Sequence, residues 1–203
     1  MKKIKGPIEL FSEQVDNSLV SYTNSATADV MGIEGEIREN LGSWWKPLEE
    51  FTLGFNAAYI QSKVPLNNEQ IYFRRTRDVP GSPLNDLSTS RPLYDQPEYV
   101  INGDLTWDHK ATGTALTLVG GVVGRRLVLA SLRQPDEYEE PAPQLDFFLS
   151  QKFGKHWKAK FSAKNLLDPV YKVTQTWGTS GFTTISRSYT KGMTFGFSMS
   201  CEF

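Results

Sequence analysis

The C-terminal segment 188–203 alternates between apolar and polar or small side chains, and this pattern limits the possible folds more than any other feature of the chain. Side chains along a β-strand point to opposite faces with a period of two, so such a segment has one apolar face and one polar face. Strands of globular proteins are mostly about five or six residues long, so the length favours a strand that crosses a bilayer. The apolar set is Tyr189, Lys191, Met193, Phe195, Phe197, Met199, Cys201 and Phe203.

The composition is compatible with strands that span a membrane, but it does not allow a membrane-spanning helix. Mean hydropathy is -0.40, and the longest apolar run, 115–123, is interrupted by Gly120 and Gly121. A spanning helix needs about 20 consecutive apolar residues. Transmembrane β-barrels escape hydropathy analysis because every second residue faces a polar lumen. A formal net charge of -1 argues against nucleic-acid binding, and the single cysteine excludes an intramolecular disulfide.

Alternation and turn residues predict about eight strands, joined by connections that alternate between short and long. Outer-membrane barrels have short periplasmic turns and long extracellular loops, so the short connections mark the periplasmic side. The predicted fold is therefore all-β, an antiparallel transmembrane β-barrel segment of about eight up-and-down strands. The predicted strands are 2–9, 19–39, 50–63, 98–109, 114–131, 143–153, 157–173 and 185–203, with short connections at 42–47, 110–113 and 154–156 and long ones at 64–97, 132–142 and 174–184.

Aromatic residues recur at a spacing that fits two membrane interfaces. Phe51 and Tyr59 lie eight residues apart on one predicted strand, and Tyr99 and Trp107 do so on the next strand. Eight residues of tilted strand span roughly 21 Å, close to the apolar band of about 25 Å in such barrels. Any single aromatic is equally well explained as a core residue. The predicted inner row is Trp44, Trp45, Trp107, Trp157 and Phe203, and the outer row is Tyr59, Tyr99, Tyr171, Trp177 and Tyr189.

Several short stretches resemble the C-terminal part of TonB-dependent outer-membrane receptors of Bacteroidota-like bacteria. They are KKIKGPIE at 2–9, GIEGE at 32–36, RPLYDQPEYVIN at 91–102, Leu145–Asp146 and NLLDP at 165–169, and the terminal strand ends in Phe203. The resemblance covers essentially the whole chain. Tyr94 and Asp95 depart from it, because many relatives have Gln-Gly there.

The resemblance implies a function in nutrient uptake at the cell outer membrane. Receptors of this family are 22-stranded barrels plugged by an N-terminal domain, and they import iron chelates, cobalamin or glycans. The N-terminus, 1–7, has no apolar stretch or cleavage site and is not a signal peptide, so we expect a barrel fragment without plug or signal peptide. Expected partners are outer-membrane lipid and lipopolysaccharide, and TonB only through the missing plug; no cofactor and no nucleic acid is expected. The barrel-insertion machinery would recognise Tyr189, Phe195, Phe197 and Phe203.

The long connection 64–97 contains the candidate ligand-binding residues. Connections beyond about 12–15 residues tend to be functional or disordered. A basic and aromatic set could hold an anionic metal chelate or a sugar through charged hydrogen bonds and stacking. The simpler interpretation is a solvated surface loop, or a loop whose arginines contact the phosphates of lipopolysaccharide. Acidic segment 136–140 could pair with this loop or gather divalent cations, although a solvated charge run is again simpler. The candidates are Tyr72, Phe73, Arg74, Arg75 and Arg77.

We expect the remaining polar residues to make contacts within the barrel wall and with the plug, not to form a catalytic or metal site. His109 and His156 lie far apart in sequence, no G-x-S-x-G motif occurs, and Cys201 is explained as a small apolar residue, so neither an enzyme nor a metal site is predicted. Positions that alternate with apolar ones would face the lumen and the plug. They are Asn102, Asp104, Thr106, Asp108, Lys158, Lys160 and Lys164.

Two alternatives remain open from the sequence. A self-contained small barrel of about eight strands, with a structural or adhesion role, would need 2–9 to pair with the terminal strand. That first strand is rich in lysine, and Pro7 removes a backbone donor. A soluble barrel of lipocalin type would instead have its apolar face inside, and alternation alone does not distinguish the two faces.

Overall fold

The computed structural model describes residues 1–13 and 19–202, and over these ranges the chain forms fifteen β-strands and one α-helix. Phe203, predicted as an interface aromatic and assembly-signal residue, lies outside the described residues. The strands are β1 (Lys2–Lys5), β2 (Ile8–Ser12), β3 (Val20–Asn24), β4 (Thr27–Asn40), β5 (Phe51–Pro65), β6 (Ser90–Arg91), β7 (Tyr99–His109), β8 (Thr114–Val123), β9 (Arg126–Ser131), β10 (Glu137–Glu139), β11 (Gln144–Phe153), β12 (Trp157–Lys164), β13 (Tyr171–Trp177), β14 (Phe182–Tyr189) and β15 (Thr194–Cys201); the helix is α1 (Asn68–Arg75).

Eight strands form the continuous path of a nine-stranded antiparallel sheet, and we call this path the wall sheet; the ninth strand, β6, pairs with Val64 and Pro65 at the end of β5. Its order is β1-β4-β5-β7-β8-β11-β12-β15, so each long strand pairs with its neighbours along the chain in an up-and-down arrangement. The predicted all-β, antiparallel, up-and-down fold is confirmed at this level. The two edges, β1 and β15, do not pair with each other in the described part of the chain, and the sheet is not closed there.

A second sheet lies beyond one end of the wall sheet, and its strands directly follow or precede wall strands along the chain. Its order is β14-β13-β10-β9-β2-β3, and all pairs are antiparallel except β2 with β9. We use the name cap for this sheet together with α1 and the connection 66–98. Because β9, β10, β13 and β14 lead directly into or out of wall strands, the cap is an extension of the wall sheet.

The predicted long strands are interrupted where the wall sheet meets the cap. In the terminal segment, β14 ends at Tyr189 and β15 begins at Thr194. Gly192 lies at a positive φ of 75° in the gap. Its N–H donates to Asp168 Oδ1 at 2.9 Å, and its carbonyl accepts from Asn165 Nδ2 at 2.8 Å. The prediction of one strand over 188–203 is therefore wrong, and its length no longer argues for a membrane.

The short connections were predicted well and the long ones were not. Turns at 110–113 and 154–156 match the prediction, and two 3₁₀ turns occupy the connection 41–50. The connection 64–97 contains α1 and β6, whereas 132–142 contains β10 and 174–184 lies mainly in β13 and β14. A capping box begins α1: Asn67 Oδ1 accepts from Gln70 N–H at 2.8 Å, and Gln70 Oε1 accepts from Asn67 N–H at 3.0 Å.

The buried core lies mainly in the cap. Leu127 and Ala130 of β9 are fully buried, as is Val173 of β13, whereas the large apolar side chains of the wall strands are mostly exposed. Tyr171 is only 4% exposed, and its hydroxyl accepts a hydrogen bond from Gln144 at 2.7 Å. The prediction of Tyr171 as an interface aromatic is therefore wrong.

Candidate functional site

One face of the wall sheet is apolar across six consecutive strands. Residues directly opposite each other in an antiparallel pair point to the same face, so the register traces each face across the sheet. Two rows run from β5 to β15 without a polar residue. The first row is Phe51, Trp107, Leu116, Leu149, Phe161 and Phe197, and the second is Leu53, Leu105, Leu118, Phe147, Ala163 and Phe195. We call the surface that contains these rows the apolar face.

Large side chains of the apolar face are open to their surroundings. Phe197 is 73% exposed and Phe195 is 61% exposed, and on β4 Ile33 reaches 76%. Monomeric soluble proteins rarely expose contiguous apolar patches larger than a few hundred Å². Exposed apolar surfaces of this kind are typical of proteins that contact lipid or another apolar partner.

Aromatic and charged residues lie at the ends of the apolar face. Tyr59 and Tyr99 are paired directly at one end, next to the cap. Beyond them Asp29 of β4 lies opposite Lys63 of β5 in the register. At the opposite end Trp157 pairs with Phe153 on β11 and Cys201 on β15, while Trp107 pairs with Phe51. The structure thus places the predicted interface residues Tyr59, Tyr99, Trp107 and Trp157 on this face.

The opposite face of the wall sheet is polar and internally hydrogen-bonded. Asn102 Nδ2 donates to Asn56 Oδ1 at 2.9 Å, the hydroxyls of Thr106 and Thr117 are 3.1 Å apart, and Arg38 pairs with Asp104 at 2.7 Å. Lys158 and Lys160 lie on this face opposite Lys152 and Ser150 of β11. The predicted lumen positions are therefore together on one surface.

The two histidines lie in separate contacts at the ends of strands. His109 Nδ1 is 2.6 Å from Glu50 Oε1, and Trp107 Nε1 donates to Glu50 Oε2 at 2.8 Å. The hydrogen bond with His109 lowers the pKa of Glu50, which lies in the turn before β5. His156 Nδ1 instead lies 2.7 Å from the carbonyl of Glu202. Each histidine is thus held against a neighbouring turn or strand end, and the two lie in separate contacts.

The five predicted ligand residues do not form one binding surface. Tyr72 and Arg75 are exposed on α1, whereas Arg74 is only 4% exposed. Phe73 is covered by the guanidinium of Arg133, 4.3 Å from its ring centroid. Arg77 donates to the carbonyls of Arg133 and Gln134. The arginines predicted to bind an anion are thus partly used to hold the cap together.

Buried ion pairs join separate segments of the cap. Arg74 Nη1 pairs with Asp86 Oδ2 at 2.6 Å and Arg74 Nη2 pairs with Asp136, while Arg91 pairs with Glu9. Burial lowers the pKa of Arg74, but the charges and hydrogen bonds of Asp136 and Asp86 outweigh it and raise the pKa. Burial opposes ionisation of Asp86, yet hydrogen bonds from Ser88 and the charge of Arg74 lower its pKa overall.

The acidic segment 136–140 is an internal part of the cap. Asp136 and Glu137 are each 4% exposed, so the expectation of a solvated charge run is wrong. Pairing with the basic connection, the alternative left open by the sequence, is what the structure shows. The pairing of Asp86 with Arg74 and the Arg91–Glu9 pair were not predicted, because no local sequence pattern indicates either contact.

Comparison with known proteins does not assign the chain to a family. A comparison of the chain with protein-family models, with curated proteins and with solved structures finds no match in any of the three. None of the helices in the described ranges has the length and apolar character needed to cross a bilayer. Within the same ranges, no group of three histidine, cysteine or acidic residues is placed to hold a metal ion.

Proposed function

We propose that the wall sheet is part of the lipid-facing wall of an outer-membrane β-barrel, with its apolar face in the bilayer and its polar face toward a lumen. The observation that carries this proposal is the unbroken apolar rows from β5 to β15. In barrels of this kind, lipid-facing apolar residues alternate with polar lumen-facing ones along every strand. The paired aromatics at both ends of the face support the same orientation.

We further propose that the barrel is a TonB-dependent transporter for nutrient uptake, an iron chelate, cobalamin or a glycan, and that this chain is its C-terminal barrel portion. Support comes from the resemblance of the stretches 2–9, 32–36, 91–102 and 165–169 to that family. Such a protein would lie in the cell outer membrane, in contact with lipid and lipopolysaccharide. The edge strand β15 would be recognised by the barrel-insertion machinery. The cap would form the outer surface, where a nutrient first makes contact.

A self-contained barrel of about eight strands has less support. It needs β1 and β15 to pair, but in the described residues β1 pairs with β4 and β15 pairs with β12. The short strand β1 contains Lys2, Lys3 and Lys5, and it covers only the cap end of β4. Unpaired backbone groups at both edges are not tolerated in the bilayer core, which favours completion of the sheet by further strands.

Fractionation of cells that produce the protein tests the membrane location. We expect the chain in the outer-membrane fraction and resistant to extraction with urea or alkaline carbonate. A chain that urea releases, or that is recovered with the soluble proteins, contradicts the proposal. A peripheral protein of the same membrane serves as the control that urea does release.

Growth on defined nutrients tests the transport function. A strain in which the segment encoding these residues is deleted is compared with its parent, with iron chelates, cobalamin or glycans as the limiting nutrient in turn. Loss of growth on one class, restored by the intact gene, supports nutrient uptake. Equal growth of both strains on all three classes contradicts it.

A further inference from the structure

A large polar cleft lies in the cap between the β2–β3 hairpin and the start of α1. Its volume is about 940 Å³, within the range of about 300–1,000 Å³ that small-molecule sites occupy. None of the predicted ligand residues lines it. Its lining includes Phe11, Asn24, Asn67, Glu69, Gln70 and Arg133.

Three amide side chains in this cleft each use only one of their two polar groups in a hydrogen bond within the protein. Asn67 Oδ1 and Gln70 Oε1 accept the two backbone N–H groups of the capping box, and Asn24 Nδ2 donates to the carbonyl of Gly6 at 2.8 Å. The other ends, two NH₂ groups and one carbonyl oxygen, have no hydrogen-bond partner among the described residues. The cleft therefore offers donors and an acceptor whose orientations are fixed before a ligand binds.

The charges around the cleft disfavour an anion. Glu13 and Glu69 line it, as does Glu9, which is paired with Arg91. Among the described lining residues the one cation is Arg133, whose guanidinium is stacked on Phe73. The arginines that would attract an anionic chelate, Arg74 and Arg77, are used elsewhere in the cap and do not line the cleft.

We propose that this cleft binds an uncharged polyhydroxylated ligand, a short glycan, rather than an anionic metal chelate. Hydroxyl groups both donate and accept hydrogen bonds, so they complement a mixture of free amide NH₂ groups, an amide carbonyl and the Glu69 carboxylate. The Phe11 ring supplies an apolar surface for the C–H face of a sugar. This inference rests on the proposed function and names its substrate class.

Two substitutions remove the donors without removing the helix cap. Asn67→Asp keeps an oxygen that accepts from Gln70 N–H, and Gln70→Glu keeps the oxygen that accepts from Asn67 N–H, because acidic side chains serve equally in a capping box. Each change replaces an NH₂ donor in the cleft by a carboxylate oxygen. Asn68→Asp, one residue along and outside the cleft, is the matched control.

Calorimetric titration of the purified full chain in detergent micelles provides the test. The probes are maltotetraose, cellotetraose and chitotetraose as neutral glycans, and ferric citrate as an anionic chelate. We expect saturable binding of at least one glycan and none of ferric citrate. The N67D/Q70E variant should bind that glycan at least tenfold more weakly, and N68D should bind within twofold of the wild type.

Three results would overturn the inference: no glycan binds, ferric citrate binds more tightly than every glycan, or N67D/Q70E binds as the wild type does. Circular dichroism of each variant shows whether it is folded. If the double variant does not fold, the wild-type titration still distinguishes binding of a neutral glycan from binding of ferric citrate. A chain that resists urea extraction from the membrane but binds no glycan defeats only this inference. A urea-extractable chain that binds a glycan defeats only the membrane proposal.

Discussion

The wall sheet and the cap are built from strands that follow one another directly along the chain, yet the two regions are stabilised in opposite ways. In the wall sheet, apolar side chains such as Phe197 are exposed and polar groups bond to each other on the opposite face. In the cap, apolar side chains such as Leu127 are buried, and so are ion pairs such as Arg74–Asp136. The cap therefore has an apolar interior, whereas the wall sheet exposes one apolar face. The two regions should respond differently to the same kinds of change.

The largest effect is expected from breaking the buried charge network of the cap. Arg74→Met leaves Asp86 and Asp136 without their buried cation, and removal of one partner from such a pair costs about 3–5 kcal/mol. Hydrogen exchange of peptides from 68–98 and 126–139 should become much faster, while the wall strands keep their protection. Arg75→Met changes the neighbouring exposed arginine and should leave exchange unchanged. Equal effects of the two variants would contradict the internal role of Arg74.

A charge on the apolar face should disrupt the wall sheet and leave the cap intact. Phe197→Arg places a cation where we propose lipid, which costs up to about 2–4 kcal/mol depending on depth in the bilayer. Ser198→Arg is the matched control, because the next residue of β15 points to the polar face. The free energy of unfolding in lipid vesicles, measured by urea titration, should fall for the first variant and change little for the second. A larger loss of stability for Ser198→Arg than for Phe197→Arg would contradict the assignment of the apolar face to lipid and the polar face to the lumen.

Acidification should weaken the cap before the wall sheet. Because the folded state lowers the pKa of Asp86, its contribution to stability is present above the unfolded pKa of about 3.9 and is lost as the pH falls through the lower folded value. We expect cap peptides to lose hydrogen-exchange protection below about pH 4. Asp86→Asn should flatten this dependence, and Glu34→Gln, on the exposed part of β4, should not. A wild-type cap with constant protection down to pH 2 would contradict the linkage.

The smallest effect is expected from a change at Asn67, the N-terminal capping residue of helix α1. Asn67→Ala removes the oxygen that accepts from Gln70 N–H, and loss of an N-cap costs about 1 kcal/mol. Peptides covering 68–75 should exchange about fivefold faster, the ratio that corresponds to this free energy. Asn68→Ala, which leaves the capping oxygen in place, is the control and should change exchange less.

The sequence predicted the wall sheet because its information is local. Alternation along 99–109 or 144–153 and the turns at 110–113 and 154–156 fix strands and their order, and the structure agrees. The interruption at 190–193 depends on contacts of Gly192 with Asp168 and Asn165, which lie more than twenty residues away. No pattern within the terminal segment could reveal it.

The cap was predicted less well for two separate reasons. Helix α1 had a usable signal, since Asn67 and Gln70 have the spacing of a capping box, but the sequence analysis treated 64–97 as one long connection between strands. The ion pairs Arg74–Asp136 and Arg91–Glu9 join residues that are 62 and 82 positions apart, and only the tertiary fold brings them together. Ligand residues chosen by composition alone therefore included side chains that the fold uses internally.

Depth-dependent quenching at two adjacent positions of β12 tests the central claim most directly. Cys201 is the single cysteine of the chain, so Cys201→Ser gives a background in which Phe161→Cys or Ser162→Cys carries one fluorescent label. In outer-membrane lipid vesicles with a quencher attached to the acyl chains, we predict strong quenching at position 161 and little at position 162. Equal quenching at the two positions, or stronger quenching at 162, would contradict the assignment of the apolar face to lipid.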